Sequence, residues 1–378
     1  MRPRGAALLV TAIAVAFAWS LLRAESQGAI AALIGLAVAA GFVLLRTRLL
    51  DPLAQAAVHD ERFAQRLAFL GVAALALLLR EDDFGLLLLT RVLIMIVACL
   101  GLNVQFGYAG VVNFAGASFF GVGGYTAAVL ARATALPHLL VLLAGGITAA
   151  LAGTVLLLPI LRTRGHYAAL ITIAFALLFR TFLEVNDALG GPQGLKLPEM
   201  RIGPVRFNDS VELGPLEGSF YLKYAAVALV LLALCFLLVQ RLERSWIGLA
   251  LDAVRIDEIA AATFGLDIAR WKIAAFVIGN FIIGVAGALS AFMIGFIAPN
   301  NYSFAESLIP VSILLLGGIG NPWGLSLAAA IVILLPEKLQ IIQEYRFLMF
   351  AGTVVLILLF RPAGLVPRPM RRLLEPRP

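Results

Sequence analysis

Residues 86–104 read LLLLTRVLIMIVACLGLNV, a stretch dominated by leucine, isoleucine and valine. An apolar helix of about 20 residues crosses the hydrocarbon core of a bilayer. Comparable apolar runs follow one another along the chain, at 5–22, 28–45, 67–79, 113–131, 138–161, 166–183, 220–240, 272–297, 306–319, 323–335 and 347–360. The runs at 67–79, 306–319 and 323–335 are short and are typical of half-helices or re-entrant segments, which are tolerated where protein covers the broken backbone. The sequence therefore predicts an all-α polytopic integral membrane protein with about 10–12 transmembrane helices.

The composition agrees with lipid as the main solvent. Of the 378 residues, 62% are hydrophobic and 13% are charged, and the mean hydropathy is +0.99. Soluble domains average about 25% charged residues, so no sizeable soluble domain fits beside these spans. The formal net charge is +7, but the basic residues are scattered between spans, which argues against nucleic acid as a partner. Cys99 and Cys235 both lie inside apolar runs and are predicted to be buried thiols.

Charge in the loops predicts the orientation. Arginines recur in 1–4, 46–66, 162–165, 241–271 and 361–378, 17 in all, whereas acidic residues outnumber basic ones in 81–83 and 184–219. Because basic loops stay on the cytoplasmic side, both termini are predicted to be cytoplasmic. The amino terminus has the basic and apolar parts of a signal peptide, but its apolar run continues past Ala14-Val15-Ala16, which favours an uncleaved first span.

Three segments are predicted along the chain. Residues 1–66 form an extra pair of transmembrane helices, 67–366 form the core, and 367–378 form a basic cytoplasmic tail. Four prolines and then a final one follow Arg361, so 361–378 is predicted to be extended and loosely ordered.

A glycine-rich segment at 101–126 reads GLNVQFGYAGVVNFAGASFFGVGGYT. Small residues let membrane helices approach closely, and glycine runs permit broken helices that line binding sites. Polar groups at membrane depth are costly and face a pathway or a partner helix. The segment predicts that a translocation pathway is lined by Asn103, Gln105, Tyr108, Asn113, Ser118 and Tyr125. The alternative is that these side chains only hold helices together.

A second polar segment, at 295–324, reads GFIAPNNYSFAESLIPVSILLLGGIGNPWG. Asn300 and Asn301 precede a predicted short helix with Glu306 in its first turn, where an acid suits the helix dipole. Phe304-Ala305-Glu306-Ser307 is a weak echo of Phe114–Ser118, at the start of another apolar helix, as in transporters with internal repeats. Asn300, Asn301 and Ser307 are therefore added to the predicted pathway.

A short charged segment, RIDEIAAATFGLDIARWK, covers 255–272. Asp257 and Glu258 suit a helix start, Ala260 and Ala261 belong to a small-sided rod, and Gly265 can take the left-handed turn that ends it. Such a rod in a cytoplasmic loop is predicted to dock in a groove of a soluble partner. The alternative is an ordinary amphipathic connector.

Two arginines fall inside apolar runs. Arg91 and Arg180 lie near the ends of their spans, so both are expected to extend their charge towards water, with Asp82 or Asp83 as the expected partner of Arg91. The chain contains no GxxxxGK[ST] phosphate loop, catalytic triad or metal-ligand cluster. The sequence thus offers no means of using ATP on its own, and no enzymatic role is predicted.

Over roughly 67–366 the sequence resembles the permease subunits of branched-chain amino acid ABC importers, specifically the second permease of the pair. The resemblance is carried by the order and spacing of short motifs: GLN at 101–103, GYAG at 107–110, FFGVGGY at 119–125, GGPQGL at 190–195, RSWIG at 244–248, EIAA at 258–261, AGAL at 286–289, GGIG at 317–320 and RPAGL at 361–365.

The resemblance implies a bacterial inner-membrane protein that pairs with a second, homologous permease. Two cytoplasmic ATPase subunits would bind ATP and Mg²⁺, an extracytoplasmic binding protein would deliver the substrate, and this chain would hold no cofactor. The segment Asp257–Gly265 would be the helix that couples the permease to the ATPase.

The run VVNFAG at 111–116 departs from the polar run usual in the second permease and is more like the partner permease. The substrate is therefore open between branched-chain amino acids and the urea, short amides or aromatic acids that the same family carries. Two alternatives remain: a self-contained secondary transporter, although no acidic residue falls in mid-span, and an integral membrane transferase, although the acidic loops lack histidine.

Overall fold

A computed structural model describes residues 3–46, 61–161, 167–213, 216–339, 345–360, 363–366 and 368. Helices account for most of this part of the chain, as the sequence predicts. The helices are α1 (Pro3–Arg23), α2 (Gln27–Arg46), α3 (Glu61–Leu78), α4 (Asp83–Asn103), α5 (Gly116–Ala133), α6 (His138–Leu161), α7 (Tyr167–Val185), α8 (Tyr221–Arg244), α9 (Trp246–Ile256), α10 (Glu258–Thr263), α11 (Ile268–Ile294), α12 (Phe304–Gly317), α13 (Pro322–Lys338) and α14 (Arg346–Phe360).

Short elements join these helices. A π-helical turn, Val104–Tyr108, continues α4, and 3₁₀ turns cover Asp187–Leu189, Gly191–Gln193 and Pro299–Tyr302. The strands are very short: β1 (Leu195–Lys196), β2 (Arg201–Ile202), β3 (Val205–Arg206), β4 (Val211–Leu213), β5 (Leu216–Gly218) and β6 (Phe296–Ile297). They form three antiparallel pairs, β1 with β6, β2 with β3 and β4 with β5, and Leu195 faces Ile297 in the first pair. The predicted loop 184–219 thus carries most of the β-structure.

Five described helices are long and apolar enough to cross a membrane: Asp83–Tyr108, His138–Leu161, Tyr167–Val185, Tyr221–Arg244 and Ile268–Ile294. Shorter apolar helices cover Ala7–Arg23, Gln27–Ala37, Phe63–Leu78, Phe304–Gly317 and Phe347–Ile357. The prediction of an all-α polytopic membrane protein is therefore confirmed, including its mixture of full-length and short apolar segments. Cys99 and Cys235 are buried free thiols, also as predicted.

The chain forms two compact units, each assembled from separate stretches. The first comprises 1–93, 207–233 and 334–344, and the second comprises 94–206, 234–333 and 345–378. Within the first unit α1 packs along α3, where a Cβ on Gly71 would lie 2.8 Å from Cγ2 of Thr11. The division into 1–66, 67–366 and 367–378 stays a prediction, since these units follow other boundaries.

The centre of the second unit is a bundle of α5, α6 and α11. Helices α5 and α11 approach so closely that a Cβ on Gly123 would lie 2.0 Å from the carbonyl oxygen of Gly284. Only glycine allows this crossing. As a result α11 is buried along most of its length, with Asn280 in its fully buried part.

The segment 241–271 is more ordered than a loop. Helix α9 occupies Trp246–Ile256, and the Ser245 hydroxyl at its N-cap accepts a hydrogen bond from the Gly248 amide. The side chains of Ala250, Leu251 and Val254 are buried. Helix α9 was not predicted from the sequence, because its 11 residues are too few to span a membrane and its charged residues are typical of a connecting loop.

Candidate functional site

A buried polar cluster lies where α4 passes into the π-helical turn of the second unit. Gln105 Nε2 donates a hydrogen bond to Asn280 Oδ1 at 2.8 Å, and Asn113 Nδ2 donates to Gln105 Oε1 at 2.6 Å. Asn113 Oδ1 in turn accepts from the Ala115 amide, which fixes the turn before α5. All three amide side chains are fully buried. π-Helical turns inside helices often mark functional sites, and here the turn places Gln105 between α11 and the start of α5.

Two more predicted pathway residues lie at this turn, since Asn103 directly precedes it and Tyr108 ends it. Asn103 Oδ1 accepts a hydrogen bond from the Gly320 amide at 2.8 Å, and the Tyr108 hydroxyl lies 3.4 Å from the Gly320 carbonyl oxygen. Among the described residues, the Nδ2 atoms of Asn103 and Asn280 have no hydrogen-bond partner. A buried amide without a partner costs about 1–3 kcal/mol. The cluster therefore retains two polar donors without a partner in the described part of the chain.

The remaining predicted pathway residues lie in other surroundings. Ser307 Oγ accepts a hydrogen bond from the Ala117 amide, and Ser118 Oγ is buried without a partner in the described part of the chain. Tyr125 packs edge-on against Tyr302 at 5.9 Å between ring centroids. Asn300 and Asn301 are exposed in the 3₁₀ turn Pro299–Tyr302. A role in the pathway stays a prediction for every one of these residues.

Sequence reasoning did not single out Asn280, which the structure places at the centre of the cluster. A signal was present, because Asn280 is a lone amide inside the apolar run 272–297. Polar side chains at membrane depth usually have a structural or functional role.

Helix α10 is a short exposed rod with both ends capped. Asp257 Oδ1 accepts hydrogen bonds from the amides of Ile259 and Ala260 at 2.9 and 3.0 Å. At the other end Gly265 adopts a φ of 81°, and the amides of Gly265 and Leu266 donate to the carbonyls of Ala262 and Ala261. This is the Schellman arrangement that ends many helices. Capping thus makes a rigid element of a helix that is too short to be stable alone.

Two exposed side chains of this segment are large and apolar. Ile259 is 81% exposed and Phe264 is 88% exposed, whereas Ala261 is buried against the protein. Glu258 points along the segment and pairs with Lys272 at 2.6 Å. The sequence-based prediction for this segment rested on its small residues and did not include Ile259 or Phe264. Both are large apolar residues isolated in a hydrophilic segment, and that pattern is a recognisable signal of a docking site. Exposed apolar groups on a rigid helix are suited to a partner's pocket.

The two arginines within apolar runs both carry ion pairs. Arg180 pairs with Glu184 at 2.8 Å and also donates to Asn300 Oδ1. Arg91 pairs with Glu337 at 2.6 Å, so the expected pairing with Asp82 or Asp83 is wrong. Asp82 instead accepts a hydrogen bond from the Gly85 amide at the start of α4. Both arginines therefore have structural partners.

The described residues contain no group of three or more His, Cys, Asp or Glu side chains placed to hold a metal ion.

Comparisons with known proteins agree with this geometry. The family model described as "Branched-chain amino acid transport system / permease component" matches residues 84–359. The LivM permease proteins of the high-affinity branched-chain amino acid transport systems of Salmonella typhimurium and Escherichia coli are each 35% identical over 300 residues, which cover 75% of this chain and 71% of each relative. A probable LivM of Methanocaldococcus jannaschii is 25% identical over 322 residues, covering 72% of this chain and 90% of the relative. No solved structure matches the chain.

The matched region contains the polar cluster, α10 and, apart from Asp83, all five long apolar helices. The chain therefore belongs to the family of branched-chain amino acid transport system permease components, as a multi-pass membrane permease of the ABC importer type.

Proposed function

We propose that this chain is one of two permease subunits that together carry branched-chain amino acids into the bacterial cytoplasm. The named relatives support this substrate class. A second permease would complete the membrane part, an extracytoplasmic binding protein would deliver the substrate, and two ATPase subunits would drive transport. ATP and Mg²⁺ would be used in those subunits, and this chain would have neither an ATPase site nor a cofactor of its own.

The observation that carries the proposal is the exposure of Ile259 on the capped helix α10 and of Phe264 at its C-cap. Aromatic and aliphatic side chains that enter a partner's pocket supply most of the energy of many interfaces. Capping at Asp257 and Gly265 fixes the direction of these side chains before binding, which lowers the entropic cost of docking. Helix α10 would thus be the element that a cytoplasmic ATPase subunit grips.

The distribution of charge supports this orientation. The arginines Arg244, Arg255 and Arg270 flank α10, and basic residues are retained on the cytoplasmic side. The same rule would place both termini in the cytoplasm and the strands of 195–218 outside it. The exposed apolar faces of α6 and α7 would contact lipid or the second permease, and nucleic acid is not proposed as a partner.

A displacement of α10 on docking would be transmitted to the polar cluster through α11. Helix α10 is joined to α11 by only a few residues, and α11 carries Asn280, which contacts Gln105. Displacement of α11 would change that contact and the burial of the unused amide donors. Asn103, Gln105 and Asn113, together with Tyr108, Ser118, Tyr125 and Ser307, are proposed to line the pathway, and Asn300 and Asn301 to lie near its external entrance.

The test is uptake of labelled leucine by cells that lack their own high-affinity system, with co-purification of the ATPase subunits. Phe264→Ala and Ile259→Ala should each reduce recovery of the ATPase and uptake by about tenfold or more, as expected for interface anchors. Glu258→Lys and Gly265→Val should abolish uptake while the chain stays in the membrane. Leu36→Ala, which changes an exposed apolar residue of α2 outside the region matched by the family, is the matched control and should behave as the unchanged chain. Normal uptake by the Phe264 and Ile259 variants would refute the docking role.

The substrate and the energy source are tested separately. Unlabelled valine and isoleucine should compete with leucine, whereas stronger competition by urea, a short amide or an aromatic acid would reassign the substrate. Uptake that continues in vesicles without ATP would favour a secondary transporter instead.

A further inference from the structure

A segment near the carboxyl terminus is bound to the second unit. The amides of Leu365 and Val366 donate hydrogen bonds to the carbonyls of Leu316 and Gly317 at the end of α12, at 2.8 and 3.2 Å. We call residues 363–366 and Arg368 the strap. The sequence predicted a loosely ordered end for 361–378, and the strap departs from that expectation because its backbone and Arg368 are held by the bundle.

The Arg368 guanidinium is the centre of a charged cluster. It makes a two-point ion pair with Asp252, with Nη1 to Oδ1 at 2.6 Å and Nη2 to Oδ2 at 2.9 Å. It also lies 3.5 Å from Glu243 Oε1 and 4.6 Å from the centre of the Tyr108 ring. Only 12% of the Arg368 side chain is exposed. Two-point pairing combined with ring stacking is specific to arginine. The contact is therefore a mostly buried ion pair with a defined geometry, unlike an exposed surface ion pair.

The cluster connects two parts of the molecule with proposed roles. Asp252 lies on α9, which ends at Ile256 directly before Asp257, the N-cap of α10. Tyr108 ends the π-helical turn that carries Gln105. The Tyr108 hydroxyl also lies 3.5 Å from Glu243 Oε2. The Arg368 guanidinium therefore contacts both α9, which leads into α10, and the π-helical turn, which carries Gln105 of the buried polar cluster.

We infer that Arg368 is a positioning residue that couples α10 to the pathway: its pair with Asp252 holds the end of the pathway beside Tyr108 closed until α9 is displaced. The inference rests on the proposed docking role of α10. An ATPase that pulls α10 would move α9 with it, and the geometry of a two-point pair tolerates little displacement. Separation of Asp252 from Arg368 would also free the face of Tyr108.

A second arginine lowers the free-energy cost of separating Arg368 from Asp252. Arg255 Nε lies 3.7 Å from Asp252 Oδ1, on the same helix. When Arg368 leaves, Asp252 keeps a cation beside it, so the carboxylate is not left as an unpaired charge. Removing one member of a buried ion pair is costly mainly because the other charge is stranded. The arrangement thus suits a contact that must break and re-form in each transport cycle.

The test uses the complete importer, purified with its second permease and ATPase subunits and reconstituted in liposomes. The measured quantity is leucine transported per ATP hydrolysed. Arg368→Ala and Asp252→Ala should each lower this ratio at least about fivefold, the smallest change expected of a real coupling, while the ATPase subunits stay bound. The double variant should be no worse than the more severe single variant, because the two residues form one contact. Arg241→Ala, an exposed arginine of α8, is the control and should keep the original ratio.

Two results would overturn the inference: a ratio within about twofold of the original for Arg368→Ala, or effects of Arg368→Ala and Asp252→Ala that multiply in the double variant. If Arg368→Ala does not assemble, Arg368→Lys decides, since it keeps the charge but loses the two-point pair and stacking. It should show an intermediate ratio, and an unchanged ratio would refute the role. A failure of the unmutated chain to hold ATPase subunits would instead refute the docking role of α10.

Discussion

Gln105 is the residue on which the buried polar cluster depends, because its amide group both donates to Asn280 and accepts from Asn113. Gln105→Leu would leave two buried amides without that partner. At about 1–3 kcal/mol for each unpaired group, we expect the free energy of unfolding to fall by about 2–6 kcal/mol. Thermal denaturation of the purified chain in detergent would measure this loss as a lower midpoint.

The same variant separates the two interpretations of the cluster. If the amides only hold helices together, uptake per folded molecule should stay normal in Gln105→Leu. If they line the pathway, uptake per folded molecule should also collapse. An unchanged midpoint would show that the hydrogen bonds of Gln105 add nothing to stability.

At this scale the sequence predicted which residue types are unusual but not which atoms meet. Asn103, Gln105 and Asn113 were recognised because amides are costly in an apolar run. Their partners Asn280 and Gly320 lie far away in the sequence, and no local periodicity connects them. Arg91 shows the same limit, since the nearest acids in sequence were expected and Glu337 is the actual partner.

At the scale of elements, the crossing of α5 and α11 depends on the absence of side chains at its closest point. A Cβ on Gly123 would lie 2.0 Å from the Gly284 carbonyl oxygen. Gly123→Ala must therefore separate the helices, and overpacking of this kind costs about 1–3 kcal/mol. We expect a lower thermal midpoint and lower uptake per molecule in the membrane.

A matched control is available in α14. A Cβ on Gly352 would meet no atom within 4 Å, so Gly352→Ala adds the same methyl group to a helix without a clash. Its midpoint should be unchanged or slightly higher, because alanine favours a helix more than glycine does. Equal losses in the two variants would argue against the close crossing.

Lys338, at the end of α13, holds this helix against the end of α1 within the first unit. Its ammonium donates hydrogen bonds to the carbonyls of Leu22 and Ala24, which the end of α1 leaves free, and it lies 5.2 Å from the centre of the Phe84 ring. Burial lowers the pKa of Lys338, and Asp82 and Glu25 oppose that shift. Lys338→Met would leave these carbonyls unpaired. We expect the free energy of unfolding of the full chain to fall by about 1–3 kcal/mol, which would appear as a lower thermal midpoint. An equal or higher midpoint would contradict a stabilising role of Lys338.

Element boundaries were predicted best where apolar runs are long and worst in the hydrophilic segment. The capped ends of α10 at Asp257 and Gly265 follow from local chemistry and agree with the sequence analysis. Helix α9 was missed because its burial depends on tertiary packing of Ala250, Leu251 and Val254. The exposure of Phe264 likewise depends on which face of the segment the bundle covers.

For the whole molecule, the sequence established the class of protein but not the way distant segments combine. Apolar runs predict spans one at a time, so they could not show that 207–233 and 334–344 join the first 93 residues in one unit. That grouping depends on contacts such as that of Lys338 with the end of α1. The strap is a second example, because the proline-rich sequence of 361–378 says nothing about the acids that Arg368 contacts.

The extra amino-terminal helices allow a prediction about the complete chain. Helices α1 and α2 lie outside the region matched by the family, 84–359, which contains α10 and the buried polar cluster. A chain that begins at residue 47 should therefore insert, bind its partners and transport within about twofold of the full chain, since distant sites act independently. Its thermal midpoint should be lower, because α3 loses the cover of α1 and Lys338 loses its carbonyl partners.

Adding Lys338→Met to the shortened chain tests the reason for that loss. In the full chain the substitution removes stabilising hydrogen bonds to the carbonyls of Leu22 and Ala24. The shortened chain lacks these carbonyls, so there the substitution removes an ammonium group that has already lost them. The sign of its effect should therefore reverse, from a lower midpoint in the full chain to an equal or higher one in the shortened chain. Loss of uptake by a shortened chain that remains folded in the membrane would show instead that α1 and α2 take part in transport.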